Sequence, residues 1–205
     1  MSTERAKKIK VILFDVDGVL TDGTIWLFPA PSSAPRSTDA HAQQHANSAG
    51  YGIVSQNMIE AKGFHAHDGT AISMARLGGL KTGLVTKRIS ETVALRARDL
   101  KIDYVFQGAA NKSTVLDKIL SESGFREEEI AYVGDDIIDL PIMERCGLAI
   151  AVANARPEVT AMAHYHTPSA GGAGAARDAV EYILKAQGTL DKVIDAYIYA
   201  RTSIR

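Results

Sequence analysis

Cysteine is almost missing from this chain: Cys146 is the only one among 205 residues. No internal disulfide can form, so no covalent staple holds the fold and the redox compartment is left open. An excess of one charge is missing as well. Lys and Arg number 23 against 24 Asp and Glu, for a formal net charge of -1. That excludes the strongly basic footprint of a nucleic-acid binder. No apolar run approaches the ~20 residues of a membrane span. The basic start, MSTERAKKIK, runs into the aspartates of VILFDVDG before a signal-peptide core could form. A cytoplasmic protein with no membrane or nucleic-acid partner is expected. What is present is ordinary: 46% hydrophobic and 23% charged residues describe a globular chain able to bury its own core.

Short apolar runs alternate with longer amphipathic stretches. Val11–Phe14, Thr82–Thr86, Tyr104–Phe106, Ile130–Val133 and Leu148–Val152 are brief, unalternating and bounded by Gly or Asp, as buried parallel strands are. Between them, residues 69–79, 90–100 and 112–123 carry helical spacing. This rhythm predicts a single α/β domain over 1–205 with a doubly wound, Rossmann-like parallel sheet, whose ligands bind beyond the carboxyl ends of the strands. Residues 28–50, with three of the six prolines, break the rhythm and read as a loop insertion. Flanked by strand-like Thr24–Leu27 and 52–64, they suggest a β-hairpin flap with an enlarged tip. His41 and His45 within it read as polar loop residues, since no third metal ligand is evident. Further on, a helix starts at Pro157, a short strand covers Tyr165–Thr167, and a final helical region runs from about Asp178 to Arg201.

Two acidic motifs fall at strand ends. Asp15-Val16-Asp17-Gly18 follows the first run, and alternation puts Asp15 and Asp17 on one side. Carboxylates that close repel unless a cation or a shared proton compensates. Gly134-Asp135-Asp136-Ile137-Ile138-Asp139 follows the fourth run, with no Lys or Arg between Arg126 and Arg145. Two acidic strand ends on one crevice predict a Mg²⁺ site, because that hard cation uses one or two carboxylates plus waters and phosphate oxygens. Asp135 or Asp136 can also cap the helix that follows, and Asp139 reads as a support. Thr86 ends the second strand and can donate its hydroxyl to a phosphate oxygen. Lys112 opens a helix, where it can neutralise phosphate or a carboxylate.

The order DVDGVLTDG, Thr86, Lys112, GDDIID resembles the haloacid dehalogenase superfamily, and within it the 3-deoxy-D-manno-octulosonate 8-phosphate phosphatase family. Asp68-Gly69, Ser90 with Arg96, Phe106-Gln107-Gly108, AYVGDDIIDLPIM at 131–143 and GGAGAARDAV at 171–180 support the match. The resemblance implies a capless, cytoplasmic, Mg²⁺-dependent phosphatase of lipopolysaccharide biosynthesis that hydrolyses a small sugar-acid phosphate, usually as a homotetramer joined through the hairpin. It implies Asp15 as nucleophile and Asp17 as general acid and base. Asp15, the backbone carbonyl of Asp17 and Asp135 would hold the metal. Thr86 and Lys112 would bind the phosphoryl oxygens, and Asp136 and Asp139 would orient water or Lys112. Lys62, His67, Arg88 and Arg177, with Asp17, are the candidates for binding the substrate. Two positions depart from the family: Lys87 replaces a common Gly, and His67 stands where many relatives carry Arg or Lys. They keep open a catalytically altered member that only binds or assembles. A phosphorylatable binding module of the receiver type joins similar residues but places its phospho-acceptor on a middle strand, whereas here the DxD leads the chain.

Overall fold

The computed structural model describes residues 2–29, 51–52 and 58–199. In chain order its strands are β1 (Val11–Phe14), β2 (Trp26–Pro29), β3 (Tyr51–Gly52), β4 (Met58–Ala61), β5 (Lys81–Val85), β6 (Arg88–Ile89), β7 (Tyr104–Phe106), β8 (Ile130–Gly134), β9 (Leu148–Ala151) and β10 (Tyr165–His166). Its helices are α1 (Ser2–Ala6), α2 (Ala66–Leu77), α3 (Glu91–Asp99), α4 (Lys112–Ser123), α5 (Leu140–Met143), α6 (Pro157–Met162), α7 (Ala175–Ala186) and α8 (Leu190–Ile198). The main sheet runs β10-β9-β8-β1-β5-β7, and every pair in it is parallel. This is the expected α/β doubly wound sheet.

β1 occupies the middle, with Phe14 opposite Leu84 of β5 and Val133 of β8. Its four residues are all buried, and alternation divides them between the faces. Ile12 and Phe14 join a core with Ile72 of α2 and Val180 and Ile183 of α7. Val11 and Leu13 join the opposite core with Val115, Leu116 and Ile119 of α4. Burial of each such side chain contributes about 1.5–3 kcal/mol, so a continuous apolar run is what a strand covered on both faces requires. Cys146 lies buried in the second core.

The predicted segments match these elements to within a few residues, with two corrections. The strand expected at Thr24–Leu27 lies at Trp26–Pro29, so Phe28 and Pro29 belong to the ladder with β4 and not to the insertion. Residues 30–50, His41 and His45 included, lie outside the described residues. The final helical region is two helices, α7 and α8, starting at Ala175. Gly188 separates them at a φ of 67°, in the left-handed region that glycine enters without steric cost.

The chain leaves the carboxyl ends of β1, β5 and β8 at one edge of the sheet. Beside that edge stand the antiparallel β2–β4 ladder and the short β3–β6 pair. Among the described residues no cap domain is inserted there, and no helix is long and apolar enough to cross a membrane.

Candidate active site

Asp15 is the first residue past β1, fixed by its backbone N–H to Val133 O at 3.0 Å. Its side chain is buried. One carboxylate oxygen accepts from Val16 N at 2.7 Å, and the other faces Lys112 Nζ at 2.8 Å. Lys112 enters from the N-terminus of α4, which Asn111 caps by accepting from Ser113 N at 3.0 Å. The Lys112 side chain is 1% exposed. Its ammonium also meets Asp139 Oδ1 at 2.6 Å and Tyr132 Oη at 3.0 Å. Burial alone would lower the Lys112 pKa, but Asp15 and Asp139 outweigh it and hold the ammonium above its ordinary value.

Asp139 lies in the short helical turn Ile137–Asp139 after β8. Oδ1 accepts from Lys112 and from Tyr132 Oη at 2.7 Å. Oδ2 accepts from the backbone N–H groups of Asp135 at 2.9 Å and Asp136 at 3.2 Å. All four lone-pair sites of that carboxylate are thus filled.

Asp135 is the opposite case. Its Oδ1 is buried with no hydrogen-bond partner among the described residues. One oxygen each from Asp15, Asp135 and Asp139 fall within 4.8 Å of one another. Burial first, then the charges of Asp15 and Asp139, push the Asp135 carboxyl up to about 8. Burial raises Asp15 as well, against the pull of Lys112. Carboxylates with free lone pairs in a dry, repulsive site are what a hard cation needs. Asp15 and Asp135 meet that description, whereas Asp139, although close, has no lone pair to spare.

Backbone packing holds the two acidic loops together. Gly18 has a φ of 91°, and a Cβ on it would stand 2.1 Å from Asp135 Oδ2. The Gly171–Gly172 turn packs backbone to backbone on this loop. A Cβ on Gly171 would meet Gly18 O at 1.7 Å, and Gly172 N donates to Val19 O at 2.9 Å. Asp68 at the start of α2 accepts from Gly174 N at 3.3 Å and Arg177 N at 3.0 Å, tying α2 to the start of α7.

Asp15, Asp17, Thr86, Lys87, Arg88, Asp135, Asp136 and Ile138 line one open cleft of about 280 Å³. Thr86 is held by its N–H to Phe106 O at 2.9 Å. Its hydroxyl accepts from Arg88 N at 3.2 Å, so its proton is available to an oxygen in the cleft. Asp136 caps the turn after β8, accepting from Ile137 N at 2.7 Å. The Asp17 side chain turns toward the flap, where Lys62 donates to Oδ1 and Arg88 Nε lies 3.7 Å from Oδ2.

The structure therefore gathers Asp15, Asp17, Thr86, Arg88, Lys112, Asp135, Asp136 and Asp139, with Lys62 against Asp17. It does not bring His67 or Arg177 to the cleft. His67 is in the exposed first turn of α2, past the hairpin's return strand, and its ring lies against His65 at 4.8 Å. Arg177 points along α7 to Glu181, one turn away. Two residues here escaped the sequence reading. Tyr132 bridges Lys112 and Asp139, and the signal was a tyrosine in a buried strand, whose hydroxyl needs a partner. Glu60 meets Arg88 Nη2 at 3.2 Å, and the signal was its place two residues before Lys62, on the same side of a strand.

Comparison with known proteins adds an independent line. Residues 84–177 match the family model of haloacid dehalogenase-like hydrolases. The chain is 34% identical to the 3-deoxy-D-manno-octulosonate 8-phosphate phosphatase of Escherichia coli, over 92% of this chain and 86% of that one. Among solved structures, a probable YrbI family phosphatase of Pseudomonas syringae is 38% identical with a TM-score of 0.79, covering 96% of both chains. The 3-deoxy-D-manno-octulosonate 8-phosphate phosphatase of Moraxella catarrhalis, in complex with a magnesium ion, a phosphate ion and KDO, is 31% identical with a TM-score of 0.78, covering 95% of this chain and 97% of that one. With Asp15 just past the central strand and Lys112 and the second acidic loop around it, the chain belongs to the haloacid dehalogenase-like hydrolases, in the 3-deoxy-D-manno-octulosonate 8-phosphate phosphatase family of phosphomonoester hydrolases.

Proposed function

We propose that this chain is a Mg²⁺-dependent phosphatase that hydrolyses a small sugar-acid phosphate, 3-deoxy-D-manno-octulosonate 8-phosphate or a close relative, through an aspartyl-phosphate on Asp15. The observation that carries the reading is the contrast around Asp15. The Lys112 protons and Asp139 oxygens are fully paired, while Asp135, which lines the same cleft as Asp15, has a buried Oδ1 with no hydrogen-bond partner among the described residues. Asp15, Asp135 and the main-chain carbonyl of Asp17 would hold the ion. Bound there, Mg²⁺ supplies positive charge that offsets repulsion between a phosphate and the nucleophile.

The chain's own residues divide the work. Thr86 donates its hydroxyl proton to a phosphoryl oxygen, and Lys112, held by Asp139 and Tyr132, turns the proton it shares with Asp15 to another as Asp15 attacks. An Asp15 oxygen forms a bond to phosphorus as the bond to the sugar oxygen breaks. Asp17 gives its proton to that leaving oxygen, and then takes a proton from the water that attacks the aspartyl-phosphate. Phosphate leaves and Asp15 is regenerated. Asp139 and Tyr132 position Lys112, and Asp136 holds the turn that carries Asp135. Arg88, backed by the flap, faces the leaving group, where a guanidinium can grip a carboxylate through two parallel hydrogen bonds.

The reading extends to assembly. Trp26, Leu27, Phe28 and Ile59 of the β2–β4 ladder are each 46–56% exposed, a run of apolar side chains that a monomer seldom leaves uncovered. A homotetramer of single-domain chains in the cytoplasm, joined through this ladder, would cover them, and a place in lipopolysaccharide biosynthesis follows from the substrate class. Size-exclusion chromatography with light scattering reports the assembly. The activity is tested by phosphate release from a panel of sugar phosphates, with and without EDTA and added Mg²⁺. The expected result is metal-dependent release, greatest for a sugar-acid phosphate and absent in Asp15→Asn. Equal release by wild type and Asp15→Asn removes the nucleophile assignment.

A further inference from the structure

We propose that Glu60 is the positioning residue that gives the cleft its selectivity for a carboxylated leaving group, by holding Arg88 from behind; this rests on the phosphatase reading above and deepens its account of the substrate end. Arg88 lines the cleft from a strand of only two residues, paired with Tyr51–Gly52. So short a ladder fixes little more than the backbone, and the long side chain needs its own restraint.

Glu60 supplies one. It stands on β4, its side chain is 11% exposed, and it is not among the residues that line the cleft. Its Oε2 accepts from Arg88 Nη2 at 3.2 Å, and its Oε1 lies 3.7 Å from Lys62 Nζ. Thr92 Oγ1, at the start of α3, donates to Glu60 O at 3.3 Å and anchors that strand beside the site. One carboxylate thus reaches both Lys62 and Arg88 without itself lining the cleft.

Two consequences follow. First, Arg88 keeps hydrogen-bonding capacity: its buried Nε lies 3.7 Å from Asp17 Oδ2 and makes no hydrogen bond among the described residues. A guanidinium tethered through one terminal nitrogen presents its remaining N–H groups in a fixed fork, the geometry that matches a carboxylate. Second, each of these two cations has a carboxylate beside it: Lys62 and Arg88 face Asp17 and Glu60, which tempers their pull on an arbitrary anion. Selectivity then comes from the placement of donors.

The test compares wild type, Glu60→Ala, Glu60→Gln, Arg88→Ala and the Glu60→Ala/Arg88→Ala double variant on 3-deoxy-D-manno-octulosonate 8-phosphate and on p-nitrophenyl phosphate, which has no carboxylate. Glu60→Ala is expected to raise KM for the sugar acid about tenfold, the scale of one hydrogen bond to a charged group, with kcat changed less than about threefold. Glu60→Gln, which keeps an acceptor oxygen for Nη2, is expected to recover most of the loss. p-Nitrophenyl phosphate is expected to shift far less. The double variant should be no worse than Arg88→Ala alone, because Glu60 acts through Arg88. A lower KM in Glu60→Ala, an equal effect on both substrates, or additive losses in the double variant overturns the inference. A second readout is independent of turnover: the Nε–H NMR signal of Arg88, assigned by its loss in Arg88→Lys, is expected to exchange with water at least severalfold faster in Glu60→Ala. If wild type hydrolyses no sugar-acid phosphate, the substrate class proposed above falls, while an unchanged Arg88 signal is what overturns the role of Glu60.

Discussion

Asp15 and Asp17 stand two residues apart in the chain and live in different surroundings. Asp15 is held at the end of a central strand, with buried Lys112 saturated behind it by Asp139 and Tyr132. Asp17 turns the other way, to Lys62 and Arg88, which arrive from ladders of four and two residues beside the main sheet. At the Asp15 end each partner is itself pinned by further hydrogen bonds. At the Asp17 end Glu60 Oε1 and Arg88 Nε, buried and 3.7 Å from Lys62 and Asp17, make no hydrogen bond among the described residues. The difference teaches where rigidity and choice reside. The half that handles phosphorus is preorganised, and the half that meets the leaving group keeps donors and acceptors for a ligand.

The sharpest break of this comparison is Asp15→Asn. It removes the charge and the nucleophile while keeping the shape, so turnover should fall on the order of 10³-fold or more. Phosphate-release assays check this, and circular dichroism checks that the fold survives. The counterpart at the flap end, Arg88→Ala, should act mainly on KM. If the two variants lose activity in the same way, the division between the ends is wrong.

Stability should divide along the same line. Asp139→Ala leaves Lys112, Tyr132 and two backbone N–H groups without their acceptor, and breaking a buried pair costs about 3–5 kcal/mol. The side chains of Glu4 and Lys7, paired at 2.6 Å, are 69% and 50% exposed, and breaking such a surface pair costs about 1 kcal/mol or less. Urea unfolding of Asp139→Ala and Glu4→Ala measures both. Similar midpoints for the two would show that the buried network adds nothing.

How legible these ends were in the sequence follows from their construction. β1, β8 and the loops behind them are contiguous: an apolar run ending in DVDG or GDDIID shows strand, turn and carboxylates within a few residues. Placement of Asp15, Asp135 and Asp139 at one mouth then followed from parallel-sheet geometry. Lys112 was readable because its helix begins there. The flap end is assembled from residues 17, 60, 62 and 88, on elements whose pairing no local pattern announces, and Glu60 went unread. Tyr132 was hidden for the opposite reason: in an apolar run it looks like core, which it also is, with only its hydroxyl in the site. His67 and Arg177 were singled out as cations near family motifs, but His67 is exposed on α2 and Arg177 has its own partner in Glu181.

Acidity offers a gentler probe. In the folded, metal-free chain the Asp135 carboxyl is pushed up to about 8 from an ordinary 3.8, and Asp15 is raised too. Both groups bind protons more tightly folded than unfolded. Their contribution to stability is therefore fully present below pH ~4 and is lost as pH rises through about 8. Thermal melts without metal should show Tm falling between pH 5 and pH 8, with a flatter profile in Asp135→Asn. Added Mg²⁺ should raise Tm more at pH 8 than at pH 6, because the cation competes with those protons for the carboxylates. A metal-free Tm that rises over this range would mean that the acidic pair is not under strain.

The smallest change tests how far the saturation around Lys112 matters for its own sake. Tyr132→Phe removes one hydroxyl and leaves the ring in the second core. Asp139 Oδ1 loses a donor at 2.7 Å and Lys112 Nζ loses an acceptor at 3.0 Å, yet the Lys112–Asp139 and Lys112–Asp15 contacts remain. A loss of about 1 kcal/mol is expected from one net hydrogen bond, with kcat lowered only severalfold. The pairing of Tyr132 with Asp139→Asn in a double-mutant cycle carries the argument further. If the hydroxyl serves to orient Asp139, its removal should cost little once Asp139 is neutral, and the coupling should exceed about 0.5 kcal/mol. Additive losses would mean that the hydroxyl acts independently of Asp139, through its own contact with Lys112, and does not orient the carboxylate.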